Sequence, residues 1–492
     1  MKNKQHGQVA SLTQTRDILV KLRTALNNKV INILSARGMN LAREALSALS
    51  APDSRKAAPA HLSHIITLIL CTAAVSWSQD SQVVAIRAGH LFDSKSGQLL
   101  TRQVVVVEGE KITEVGPEDQ VTIPPRAHVI DLSQATVLPG LIDGHTHIFA
   151  LDTTQSKTTR EYRTLVALSD AQYDLRAGFT TLRDLTSHGN GYADVDVRNA
   201  IDRGIFEGPR MQVATIGIGI TGQGFPASPE DLHGTAAVDS PWDARRAVRE
   251  QIHYGADWIK FFADNASRYR FLPDGTIWFD PTFTKEEVTA IGDEAHRHGM
   301  KVACHAFGGE GLQNCVQAES TGDTVEHAFQ LDEQTADIIL RKGLYLIMTA
   351  ALRYTNDYLP MELKATGGKN SVAAAGEKSG RLAISKGIKI AFGSGVHQTP
   401  AGIYGHGSQA KEFEYMVQYG MTPTQAIQAA TTVAAEMMGW QDRIGSIEKS
   451  KYADLIAVSG DPLKDIKELE RVKFVMKGAK VVRNDFNPNF GF

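Results

Sequence analysis

"VLPGLIDGHTHI", residues 137–148, is the stretch on which the fold turns. An apolar run breaks at Pro139-Gly140 and then delivers His145 and His147, two positions apart. On a strand, residues i and i+2 point to the same face, so at a strand end both rings address one point. Two neutral imidazoles aimed at one point suit a zinc-type ion. A pair of core or surface histidines is the other reading, and the rest of the chain has to choose between them.

Upstream of this stretch, "VVAIRAGHLFD", "QVVVVEGEKITEVG" and "AHVIDLSQATVLPG" read as strands separated by turns. A matching set, "DLIAVSGDP" and "RVKFVMKGAKVVRND", closes the chain, so a small β-sandwich built from both ends is expected. Between them, strand patterns alternate with helix patterns. "GFTTLRDL" comes before "DVRNAIDRG", and "ADWIKFFA" before "TKEEVTAIGDEAHRHG". "KVACHAFG" comes before "GEGLQNCVQAES", "DTVEHAF" before "DEQTADIILRKG", and "KIAFGSG" follows later. Repeated strand-then-helix units predict an α/β protein with a parallel sheet, most simply a (β/α)8 TIM barrel. The expected division is an N-terminal extension over 1–79, an N-terminal sandwich segment over 80–136, the barrel over 137–438 and a C-terminal sandwich segment over 439–492.

Functional side chains of a barrel sit at the C-terminal ends of its strands. Those ends carry His145 and His147, Lys260 in "DWIKFF", His305 in "KVACHAFG" and His327 in "DTVEHAF". Each histidine alone reads as structural; four together outweigh that reading. An ammonium has no lone pair for a metal. Lys260, flanked by Ile259, Phe261 and Phe262, can have its pKa lowered by burial and become nucleophilic. Addition of carbon dioxide would then convert it to a carbamate that bridges two ions; a salt-bridged lysine is the alternative.

Taken together, "VLPGLIDGHTHI", "GADWIKFF", "GMKVACHA", "TVEHAF" and "YADLIAVSGDPL…VKFVMKGAKVV" resemble the amidohydrolase superfamily over roughly residues 82–486. Within it the likeness is to metal-dependent Xaa-Pro/Xaa-Arg dipeptidases, imidazolonepropionase-like hydrolases and ochratoxin amidohydrolases. The resemblance implies a barrel with a sandwich from both termini, two divalent ions (zinc foremost), and a homo-oligomer. It further implies that His145 and His147 hold a buried ion, His305 and His327 an exposed one, and N-carboxylated Lys260 the bridge. The activity implied is hydrolysis of a small amide, such as a dipeptide or N-acyl amino acid, by a hydroxide bridging the ions. Release of a C-terminal residue or ochratoxin-type cleavage is the subtype expected. Cyclic amide hydrolysis or ring deamination, and a catalytically silent binding relative, are the alternatives.

The chain departs from the family at the eighth strand. Where a pattern like "FGTDAG" supplies an aspartate for proton transfer, residues 389–400 read "KIAFGSGVHQTP", and Ser394 is followed directly by Gly395. Loss of one positioned acid–base group costs typically ~10²–10⁴-fold in rate, so activity is expected to be reduced. His397 is the nearest titratable side chain and the candidate substitute base; a solvent-facing loop histidine is its other reading. Gln223 or Gln398 is a candidate substrate contact. Arg353 and Tyr354, after the seventh strand, are others, since an arginine there can grip a carboxylate bidentately. His296 and His298, at i and i+2 on a helix, do not face one another and read as surface residues.

Composition supports this soluble-enzyme reading. Of 492 residues, 42% are hydrophobic and 22% charged, with a formal net charge of −3, so nothing argues for nucleic acid or an anionic membrane. Three cysteines, at 71, 304 and 315, are too few for a disulfide framework; Cys304 and Cys315 read as a buried thiol pair, a single bridge being the other possibility. The apolar run 65–77, "IITLILCTAAVSW", is too short to span a bilayer, and Ser76 and Ser78 suit signal cleavage before Gln79. A signal peptide over 65–78 makes the protein secreted or periplasmic; a genuine N-terminus at residues 1–64 makes it cytoplasmic.

Overall fold

Alternating apolar and polar residues after position 82 produce four strands, β1 (Val83–Asp93), β2 (Gln98–Glu108), β3 (Lys111–Pro117) and β4 (His128–Pro139). The structure, a computed structural model, describes residues 83–149, 158–223, 234–274, 276–355, 358–369, 371–397, 404–487 and 489–490. The chain divides into two compact units, Met1–Asp80 and Ser81–Phe492, and the second is the one described below. The expected signal segment 65–78 and Gln398 lie outside the described residues.

Strands and helices then alternate as the sequence pattern predicts. β5 (Leu141–Thr146) leads to α1 (Arg160–Arg176), and β6 (Phe179–Asp184) to α2 (Ala193–Asp202). β7 (Arg210–Val213) is followed by the short β8 (Ile218–Gly219) and β9 (Ala236–Ala237), then α3 (Pro241–His253). β10 (Trp258–Phe262) continues into a hairpin of β11 (Asp264–Phe271) and β12 (Ile277–Pro281) before α4 (Lys285–Arg297). β13 (Lys301–Ala306) precedes α5 (Gly309–Gln317), and β14 (Thr324–His327) precedes α6 (Glu333–Lys342). β15 (Tyr345–Ile347) leads to α7 (Ala350–Thr355), α8 (Tyr358–Ala365) and α9 (Val372–Lys386). After residues 389–397 come α10 (Lys411–Gln418), α11 (Pro423–Gln428), a π turn over Ala429–Val433 and α12 (Ala434–Met438). The chain closes with β16 (Leu455–Val458), β17 (Phe474–Lys477) and β18 (Lys480–Asn484).

Strands from both ends form one seven-stranded sheet, in the order β18-β17-β16-β4-β1-β2-β3. The central strands pair in parallel as β5-β6-β7 and as β10-β13-β14-β15. Extended residues 389–396 connect these groups: Ala391 N–H donates to Leu346 O (3.0 Å), Gly144 N–H to Phe392 O (2.9 Å) and Gly395 N–H to His145 O (2.7 Å). Every residue of β5, β6, β10 and β14 is buried, as parallel strands covered on both faces require. Helix starts are chemically marked, for example by the capping box of Thr284 and Glu287 on α4. Two close approaches require glycine. A Cβ on Gly140 would meet Thr180 Oγ1 at 2.1 Å, and one on Gly393 would meet His145 Cβ at 2.6 Å.

Cys304 on β13 and Cys315 on α5 are joined as a disulfide, which corrects the expected thiol pair. The strand and the helix that follows it bring the two residues face to face with Cα atoms 6.5 Å apart, within the range a bridge needs. Glu412 on α10 is buried under the start of α7, accepting from Ala350 N–H (2.9 Å) and Ala351 N–H (2.7 Å).

Burial pushes the Glu412 carboxyl up from 4.5 to about 8, against the two backbone donors. Between those values the folded chain keeps a proton that the unfolded chain has lost, so stability falls as pH rises through the window. The expected result is a wild-type melting temperature that declines from about pH 5 to about pH 8 relative to Glu412→Gln, whose side chain does not titrate. Parallel curves would mean that Glu412 stays ionised.

Candidate metal centre

Parallel register brings three of the five strand-end residues into neighbouring positions. Phe262 is opposite His305 and Ala306 opposite His327, so Lys260, His305 and His327 line successive strand ends. His145 is the penultimate residue of β5, and His147 lies one residue beyond the strand's end. His145 Nε2 lies 3.2 Å from His147 Nε2. The ring of His327 is 4.9 Å from that of His145 and 4.6 Å from that of His305. All five side chains are buried.

Two of the rings are oriented from behind. His145 Nδ1 donates to Glu326 Oε2 at 2.6 Å, which leaves Nε2 with a free lone pair. Glu326 is in turn held by Arg183 Nη2 (3.0 Å) and by Thr324 Oγ1, while Arg183 Nε donates to Gly144 O at 2.5 Å. His327 Nδ1 meets Thr349 Oγ1 at 2.7 Å. Both partners sit at positive φ, 79° and 49°, a conformation that non-glycine residues adopt when their surroundings demand it.

Electrostatics favour the neutral forms of the four histidines and lower the charge on Lys260. Burial drives His145 down to about 4 although Glu326 opposes it. Burial, with neighbouring histidines and Lys260 adding to it, also holds His147 and His327 well below the ordinary range. Lys260 falls to about 7, with burial the main cause and Arg183 reinforcing it against Glu326 and Asp264. Glu326 itself stays ionised: burial works to raise it, but Arg183, His145 and Lys260 pull it far below the carboxylate range.

The other candidates occupy distinct places. His397 is buried, with Nδ1 3.0 Å from Gly395 O; burial lowers its pKa, and it interacts electrostatically with His147 and His188. The loop reading of this ring as solvent-facing is therefore corrected. Arg353 is buried with its guanidinium 4.7 Å from the Phe307 ring and 5.1 Å from that of Phe329, rings that also touch His327. Tyr354 turns away, donating to Glu377 Oε2 at 3.3 Å and stacking on Tyr415. Gln223 ties its own loop down, its amide donating to Asp264 O and accepting from Ile220 N–H. His296 and His298 lie on the surface, paired with Asp323 and Glu294.

The segment around Ser394 is held from β5. Ser394 Oγ donates to Asp143 Oδ2 (2.6 Å), while Ser394 N–H and His145 N–H both reach Asp143 Oδ1. Burial pushes Asp143 up to about 7 against these bonds. Its oxygens are already satisfied, so it secures that segment to β5.

Further functional neighbours emerge only in space. His188, after β6, has its ring 4.5 Å from His147. Asp264 Oδ1 is 3.2 Å from His305 Nε2, and Asp264 Oδ2 accepts from the backbone of Phe307 and Gly308.

Among the described residues, no group of three or more His, Cys, Asp or Glu side chains converges as a ready-made ion cage. The donor chemistry nevertheless fits a divalent pair. His147 Nδ1 and Lys260 Nζ are buried without hydrogen-bond partners, His305 Nε2 faces Asp264 Oδ1, and imidazoles and carboxylates are the ligand types that suit ions such as zinc.

A profile of the amidohydrolase family matches residues 136–482. The chain is 28% identical over 449 residues to ochratoxinase from Aspergillus niger, covering 83% of this chain and 88% of that protein. It is 32% identical to a crystal structure of a Xaa-Pro dipeptidase with methionine bound in its active site, with a TM-score of 0.71, covering 82% of this chain and 100% of that one. It is 23% identical to imidazolonepropionase from Geobacillus thermodenitrificans, covering 79% of this chain and 92% of that protein.

Proposed function

The chain belongs to the amidohydrolase family, and from that premise we propose that it is a zinc-dependent amide hydrolase on a closed (β/α)8 barrel. Its substrate is a dipeptide or N-acyl amino acid from which a C-terminal residue is released. The observation that carries this reading is the buried convergence of His145, His147, Lys260, His305 and His327 at neighbouring strand ends. His145 and His147 would hold one ion, His305 and His327 the other, and Lys260 the bridge. When bound, such a pair supplies Lewis-acid polarisation of the scissile carbonyl and lowers the pKa of water.

The chain's own groups do the rest. Burial draws the Lys260 pKa down to about 7, so its neutral fraction can add a lone pair to carbon dioxide: an N–C bond forms as one C=O bond of carbon dioxide becomes C–O−, and the nitrogen loses a proton to solvent, giving an anionic carbamate. Glu326 and Arg183 keep His145 in the tautomer whose Nε2 can ligate. His397, with its Nδ1 proton on Gly395 O, offers Nε2 to carry a proton toward the leaving amine. Arg353 faces a free carboxylate of the substrate, a choice supported by the dipeptidase relative with bound methionine and by the aromatic rings of Phe307 and Phe329 around the guanidinium. The lack of an aspartate between Ser394 and Gly395 favours, as the second reading, a catalytically silent binding relative.

Metal analysis of purified, metal-replete protein tests the core of the proposal: one to two zinc ions per chain are expected, and fewer than one overturns it. Hydrolysis of a panel of dipeptides and N-acyl amino acids is expected to vanish with chelator and return with zinc. Arg353→Met should raise KM about 10–100-fold for substrates ending in a free carboxylate, the worth of a charge-assisted hydrogen bond, while C-terminal amides are unaffected. Equal effects on both substrate types would remove Arg353 from the carboxylate role. His397→Ala should lower kcat ~10²–10⁴-fold; an unchanged kcat assigns the proton elsewhere.

A further inference from the structure

Two of the clustered rings are steadied through their second nitrogen, His145 by Glu326 and His327 by Thr349. His147 is not: its Nδ1 is buried without a hydrogen-bond partner. Its backbone is gripped instead. The N–H of His147 donates to Val396 O at 2.9 Å, and its carbonyl oxygen accepts from His406 Nε2 at 3.0 Å.

His406 stands in the turn before α10, buried, and takes no part in the chemistry set out above. Its Nδ1 lies 2.8 Å from Asp174 Oδ2. A backbone carbonyl and a carboxylate can only accept, so both ring nitrogens donate. Asp174 and Asp170 sit four residues apart on the buried face of α1, which places them on one side of that helix. Asp170 Oδ2 is 4.0 Å from His406 Nε2, and Gly407 N–H donates to Asp174 Oδ1 at 3.0 Å. The path from helix to site is continuous: α1, its two carboxylates, the His406 ring, the His147 carbonyl.

We propose that His406, anchored by Asp174 and Asp170, is a positioning residue that sets the direction of the His147 ring by holding its backbone carbonyl. This role rests on the reading of His147 as a metal ligand. It replaces, for this one ring, the direct support that Glu326 and Thr349 give to the other two. The distinction between the nitrogens makes the idea testable, because asparagine presents its amide where Nδ1 lies and glutamine presents its amide where Nε2 lies.

The experiment measures zinc affinity by competition with a chromophoric chelator in wild type, His406→Gln, His406→Asn, His406→Leu and Asp174→Asn, with melting temperature and a kcat–KM split alongside. Glutamine keeps the donor to the His147 carbonyl, so zinc affinity should stay within a few-fold of wild type. Asparagine keeps only the bond to Asp174, and the affinity should fall about 10–100-fold, the usual effect of losing a group that orients a ligand. Asp174→Asn leaves the Nε2 donor to the His147 carbonyl in place, so its affinity should also stay within a few-fold, while His406→Leu, which removes both bonds, should lose affinity as asparagine does and keeps the inference testable if His406→Asn does not fold. A purely architectural histidine would shift melting temperature but leave the zinc affinity of folded His406→Asn at the wild-type value, and that result overturns the inference while the metal reading stands. Wild-type protein that binds no zinc overturns the metal reading itself and the positioning role with it.

Discussion

Lys260→Met gives a protein that folds and melts at or above the wild-type temperature in the absence of metal, yet loses roughly 10³-fold or more in kcat/KM, about 4 kcal/mol of transition-state stabilisation. The two halves of this result have one cause. Lys260 is buried on β10 with Nζ lacking a hydrogen-bond partner and its pKa drawn down to about 7 by burial. A methionine of similar length fills the same space without a desolvated amine, so packing is preserved. The bridging ligand is gone, however, and metal content should drop with activity. A carbon-13 signal for a lysine carbamate, present in wild type equilibrated with labelled bicarbonate and missing in Lys260→Met, identifies the modification directly. Wild-type turnover in Lys260→Met would remove lysine from the site altogether.

Arg183→Met should be the most destabilising single change near the site, by about 3–5 kcal/mol, because it leaves the buried Glu326 charge without its partner. Arg183 also donates to Gly144 O and Thr324 Oγ1 and lies over the Trp258 ring at 4.3 Å, so the change reaches β5, β6, β10 and β14 together. Glu326 would then lean on His145 and Thr324, disturbing the ring that Glu326 orients. The double variant Arg183→Met with Glu326→Gln removes the stranded charge and should recover some of the loss in a thermal melt. A single variant melting within about one degree of wild type would show the pair to be energetically idle.

Much of this site was legible because strand ends announce themselves. His145, Lys260, His305 and His327 each end a short apolar run, and the parallel arrangement turns such ends into neighbours. His188 escaped because irregular backbone, with positive φ at Thr186 and His188, separates it from β6. Glu326 was hidden beside His327: adjacent strand residues point to opposite faces, so the carboxylate runs beneath the cluster to His145 and Arg183. His406 and Asp174 are 232 residues apart, and no local periodicity links a turn histidine to the inner face of a distant helix. His397 read as a loop residue because the loss of strand pattern after Val396 says nothing about what covers it. The bridge between Cys304 and Cys315 depends on the angle between β13 and α5, which their spacing does not encode.

The family, the alternation of strands and helices, and the identity of the ligand-type residues follow from the amino-acid order, because hydrophobic periodicity and strand-end placement are local properties. Which nitrogens are neutral, which rings are supported and by what, and which carboxylate secures the segment around Ser394 were decided only in three dimensions. Desolvation and hydrogen bonding depend on everything that surrounds a group, and most of what surrounds His145 and His147 comes from chain far away in sequence.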